Sequence, residues 1–134
     1  SGGQFGLFTP AFYGGAEAAE EAYVYGLRAD AANRSNVAVV NTAVTPEIGS
    51  ITLRLQAYDG DAGGVAAGAP ESVTLGPGEW RQLGSFLAGK GVRNGWVRIT
   101  RTSGTAPWIA YGAINDGGAP GERTGDGAYV PMSL

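Results

Sequence analysis

Histidine and cysteine are both absent from this 134-residue chain, and lysine occurs once, at Lys90. Without imidazole or thiol there is no Ser-His-Asp or Cys-His nucleophile system, no histidine or thiolate zinc site and no disulfide frame. Paired carboxylates of the glycosidase kind remain for acid–base chemistry, but nothing in the spacing of the 12 acidic residues marks two of them as such a pair. The protein is therefore expected not to be an enzyme. Its nine cationic residues are scattered singly through a chain of net charge −3. No basic patch forms to neutralise a phosphate backbone, so nucleic acid is not an expected partner. Apolar runs fall well short of the roughly 18 residues a bilayer-spanning helix needs, and membrane insertion is not expected either. The glycine-rich stretches neither follow a strand nor open a helix in the way a phosphate-cradling loop requires. Ser1-Gly2-Gly3 has the composition of a linker, compatible with a leader or further domains in the natural protein.

What the chain does have is glycine, 24 residues of it, with 7 prolines and no fixed period. That composition favours many short strands joined by turns over a helical bundle. Hydrophobic residues make up 43% of the chain and charged residues 16%, enough for one core, and the length suits one domain spanning 1–134. The clearest strand is residues 51–58, ITLRLQAY, where Ile51, Leu53, Leu55 and Ala57 alternate with Thr52, Arg54 and Gln56 as they do in a sheet wetted on one side. Similar runs at 4–12, 22–28, 36–41, 71–75, 79–83, 95–101, 107–115 and 128–131 bring the expectation to about nine strands. Short strands without βαβ alternation predict an all-β, antiparallel β-sandwich, with Val39, Leu53, Leu55, Val97, Ile99 and Ile114 in its core. At most one short helix is expected, over residues 16–22 (AEAAEEA). Residues 1–21 read as an N-terminal strand plus flexible connector, able to pair with its own sheet or with a neighbour's.

From Arg34 onward the order of features resembles a module of large secreted bacterial proteins, a mostly uncharacterised group. The pieces that carry it are RSNVAVVN (34–41), ITLRLQAYDGDAG (51–63), VTLGPGEWRQL (73–83), GWVRITRTSG (95–104), WIAYGAIND (108–116) and GDGAYVP (125–131). The resemblance implies an immunoglobulin-like β-sandwich serving as an extracellular or cell-surface accessory domain, with a structural, adhesive or domain-docking role. Its partners would be neighbouring domains of a larger secreted protein.

The aromatic residues offer an alternative, a carbohydrate-binding module whose partner is polysaccharide. A planar row of exposed rings would stack on pyranose faces. In the 96–100 strand Val97 and Ile99 share one side, which puts Trp96 with Arg98 and Thr100 on the wetter one. Trp96 and Arg98 are thus candidate ligand-binding residues. Trp80 joins them, although its alternation leaves core against rim open. Trp108 lies in a run apolar on both sides, as in a central strand, and is assigned to the core. No organic cofactor is expected. Calcium is the alternative left open at Asn115, Asp116 and Asp126, oxygen donors bracketing a long glycine-rich loop, and turn chemistry is the competing explanation for all three.

Overall fold

The computed structural model describes residues 17–18, 20–117 and 127–134. Eight strands follow one another: β1 (Glu21–Arg28), β2 (Asn33–Asn41), β3 (Ile51–Asp59), β4 (Val65–Leu75), β5 (Trp80–Leu83), β6 (Asn94–Ser103), β7 (Trp108–Asp116) and β8 (Gly127–Ser133). Among the described residues helix is confined to two single 3-10 turns, Pro46–Ile48 and Gly60–Ala62. Eight of the nine expected strands form; the ninth, residues 4–12, lies outside the described residues. The expected helix at 16–22 is not seen among its described residues, 17–18 and 20–22. Glu21 and Ala22 already belong to β1, and Ala18 makes an isolated antiparallel bridge to Trp108, because tertiary pairing overrides the weak helical preference of so short a run.

The strands build one antiparallel sheet in the order β4-β3-β6-β1-β8-β7-β2-β5. This corrects the expectation of two separate sheets, and the immunoglobulin-like arrangement is not seen. The cause is β8, which pairs with β7 through Gly127–Pro131 and then with β1, where Val24 faces Met132 and Tyr23 faces Ser133. One strand serves both layers, so the sheet curls into a nearly closed barrel.

Alternation sets what the barrel encloses. Ile51, Leu53, Leu55 and Ala57 of β3 point inward with Val97 and Ile99 of β6 and Val24 and Leu27 of β1, each at most 1% exposed. Val24 and Leu27 are three apart yet both point inward. A bulge between them absorbs the extra residue, and Gly26 takes the left-handed φ of +74° that it needs. From the other side come Val37, Val39, Ala110 and Trp108, all fully buried. The predicted core residues are confirmed except for Ile114, which is only half-buried.

The two terminal strands, β4 and β5, are consecutive in the chain and are joined by residues 76–79. Asn41, fully buried, clasps this seam: its Nδ2 donates to the Leu75 and Gly49 carbonyls at 3.0 and 3.1 Å, and its Oδ1 accepts from the Ala43 N–H at 3.0 Å. Every hydrogen-bonding group of the amide side chain is thereby engaged on at least one partner, as a buried polar group requires. Further along the seam, residues 84–93 drop Phe86, Leu87 and Val92 into the core. Lys90 fastens this plug to β4, donating to Glu71 and to the Phe86 carbonyl, both at 2.7 Å, with its ammonium 4.4 Å from the centre of the Phe86 ring.

Candidate interaction face

With Val24, Leu27, Ala57, Val97 and Ile99 inside, period-2 geometry turns Tyr23, Tyr25, Tyr58, Trp96 and Arg98 outward on three adjacent strands. The register places Trp96 opposite Tyr58, and Arg98 opposite Tyr23 on one side and Gln56 on the other. The four rings pack as a ladder. Tyr23 and Tyr25 are parallel to within 3° with centroids 5.5 Å apart, Tyr25 leans on Trp96 at 6.2 Å and 47°, and Trp96 lies nearly parallel to Tyr58 at 5.7 Å. Parallel rings this close overlap in an offset stack, so each covers part of its neighbour's face. Trp96 is held at its edge as well: a side chain on Gly64, which has φ of +78°, would come within 2.9 Å of the indole. The turn after β3 can approach the ring because glycine stands there.

Arg98 completes the patch. Its Nε donates to Glu21, and the guanidinium is held still more firmly protonated, first by Glu21 and then by the nearby Tyr58 hydroxyl. The Tyr23 phenol is raised above its usual range, first by loss of solvent and then by the adjacent Glu21. The face is thus a set of amphipathic aromatics around a neutralised ion pair, with Tyr25 at 49% the most exposed ring among the four.

The three sequence-predicted ligand-binding residues do not converge. Trp96 and Arg98 share this face, whereas Trp80 lies on β5, with β1, β8, β7 and β2 between them in the sheet order. Trp80 is exposed, and its Nε1 donates to the Tyr111 hydroxyl at 3.1 Å. Tyr23, Tyr25 and Tyr58 were not singled out by sequence, yet a parity argument finds them: each flanks a residue assigned inward.

The proposed calcium donors are also separated by what they do. Asn115 is buried, and its Oδ1 accepts from Asn36 Nδ2 at 3.1 Å, while Asn36 Oδ1 accepts the Ser85 N–H at 2.8 Å. That chain ties the plug to the sheet. Asp116 faces Asn33 at the end of β7, and Asp126 lies outside the described residues. Among the described residues no three acidic side chains come together as a metal cluster. Asp59, the last residue of β3, accepts the Asp61 N–H of the following turn at 2.9 Å, which is turn chemistry.

A pocket of about 190 Å³ opens between the β1–β2 turn and the plug, lined by Asp30, Arg34 and Ser85 among others. Asp30 is committed to its own turn, accepting from the Ala32 N–H at 2.8 Å and from Asn33 Nδ2 at 3.2 Å. Arg34 donates to the Gly117 carbonyl at 3.2 Å. Their polar atoms maintain local structure.

No family model matches the chain, and no curated protein does. A solved structure, that of Thermotoga maritima 1070, is similar, with a TM-score of 0.57 over 84% of this chain and 92% of that one at 11% sequence identity. That likeness concerns the fold alone. No helix among the described residues is long and apolar enough to cross a membrane.

Proposed function

We propose that this chain is a non-catalytic accessory module that docks a neighbouring domain of a larger protein through the outward face of β1, β6 and β3. The observation that carries the proposal is the ladder itself. Tyr, Trp and Arg gathered on one part of a surface are the residues that anchor protein interfaces. Here their faces are shared with one another, leaving edges, hydroxyls and the Arg98–Glu21 pair toward solvent. A pyranose needs an open ring face, so the mutual stacking favours docking over polysaccharide binding. An extracellular setting accords with the resemblance of residues 34–131 to secreted modules, and a non-catalytic role accords with the lack of histidine and cysteine.

The test places a photo-crosslinking residue at Tyr25 in the longer natural chain. Crosslinks to the adjacent domain are expected, and they should disappear in a Trp96→Ala, Arg98→Ala variant that still folds. Titration with soluble glucans, xylan and chitin oligosaccharides should leave the indole fluorescence unmoved. A Trp96-dependent fluorescence change with any of them would instead support the carbohydrate-binding alternative.

A further inference from the structure

The opposite side of the barrel has an unusual exterior. In β2 and β7 the residues facing away from the core are Arg34, Asn36 and Asn115 toward one end and Ala38, Val40, Ile109, Tyr111 and Ala113 along the rest, with Tyr129 of β8 beside Ala113 and Trp80 of β5 beside Val40. Ala38, Ile109, Tyr111 and Ala113 are nevertheless buried, at 2, 9, 3 and 3% exposure, and none belongs to the core cluster. They form a second buried set, on the outside of the sheet. None of its side chains carries a charge at neutral pH.

We propose that this face is the docking surface for the chain's own residues 4–12. The first support is position. Ala18 bridges Trp108, exchanging hydrogen bonds of 2.7 and 3.1 Å at the point where β8 leaves β7 for β1. The chain therefore enters the described fold one residue along β7 from Ile109. Five residues lie between positions 12 and 18, six steps of chain that span at most about 20 Å, and nine extended residues cover about 30 Å, the length of β7. The second support is chemistry. Residues 1–16 contain no charged side chain, and three of the chain's four phenylalanines, Phe5, Phe8 and Phe12, lie among them with Leu7. An uncharged, phenylalanine-rich segment suits the apolar stretch of this face beside Trp108, from which Arg34 stands away at the far end of β2, donating to the Gly117 carbonyl, whereas the β1–β6–β3 face presents Glu21, Arg54 and Arg98. The third support is the sheet itself: runs apolar on both sides, such as WIAYGAI in β7, are the pattern of strands covered from two directions.

The absence of native cysteine makes the test direct. A nitroxide is attached to the full chain through Gly6→Cys, and amide signals are compared before and after its reduction. The amides of Ile109, Tyr111 and Ala113 are expected to lose most of their intensity, with those of Tyr25 and Trp96 unaffected. Broadening of the Tyr25 and Trp96 amides, or of none, overturns the proposal. Broadening seen only when unlabelled spin-carrying protein is mixed with isotope-labelled protein would assign the face to a second copy, and also overturns it. A Phe8→Ser, Phe12→Ser variant gives an independent readout: fluorescence of an apolar-surface dye should rise severalfold if the segment covers the face, and an unchanged signal counts against it.

Discussion

On one side of the barrel the outward residues of β1, β6 and β3 are Tyr, Trp, Arg, Glu and Thr, half in water. On the other, the outward residues of β2 and β7 are Ala, Val, Ile and Tyr along most of their length, with Arg34, Asn36 and Asn115 at one end, and most are buried. Both sides belong to one continuous sheet with a shared interior. Facing away from a core is thus not the same as facing solvent, and the difference is visible in patterning. β3 alternates strictly and is wet on one face; β7 does not alternate and is dry on both.

Four measurements break or sharpen that contrast. The largest effect is expected from the interior that both sides share: Leu55→Ala should cost about 2–5 kcal/mol in denaturant unfolding, as for other fully buried leucines. A near-neutral result would mean that the inward face of β3 has been misassigned. Ile109→Ala comes next. If the outer side of β7 is covered as a core is, it should cost about 2 kcal/mol, the low end of the range for buried isoleucine, whereas Arg54→Ala on the wet side should leave the midpoint nearly unchanged. Equal effects would erase the distinction between the faces.

Trp96→Ala removes a ring held between Tyr58 and Tyr25, and about 1–2 kcal/mol is expected from lost stacking and contact. The smallest effect concerns acid. Hydrogen bonds, above all from the Ala32 N–H, hold the Asp30 carboxyl below the ordinary range, and the Gly76 N–H does the same for Glu79. A depressed folded-state value means that the native state binds fewer protons than the unfolded one. The stabilisation is therefore present above the ordinary carboxylate pKa and is lost as pH falls through the folded value. Asp30→Asn should make stability fall less steeply on acidification, seen as a shallower slope of unfolding midpoint against pH. A slope unchanged from the parent would mean that Asp30 contributes no part of it.

Much of this was legible in the sequence, for reasons that can be traced to particular residues. Period-2 alternation located the strands and the inward positions of β3 and β6, and it identified Trp108 as core. It failed at β4, which begins at Val65 rather than Glu71: Gly68 and Pro70 disguise a strand that bulges against β3. Closure of the sheet was also out of reach, since it depends on β8 pairing with both β7 and β1, and no local pattern encodes a strand's choice of two partners. For the site, parity put Trp96 and Arg98 together but said nothing of Trp80, because joining side chains across strands requires the order of the sheet.

The seam clasped by Asn41 has a consequence for how such modules coexist in a crowded or repetitive setting. An open sheet offers its terminal strands to any passing chain, and identical domains strung together at high local concentration are the most dangerous neighbours. Here the two terminal strands are consecutive in the chain and joined by a four-residue link. One of them is further blunted by the bulge at Gly68, by Pro70, and by Lys90 reaching across to Glu71. Copies of this domain repeated along a polypeptide would carry little risk of knitting into a common sheet, since one terminal strand is only four residues long and the other is bulged and fastened by Lys90.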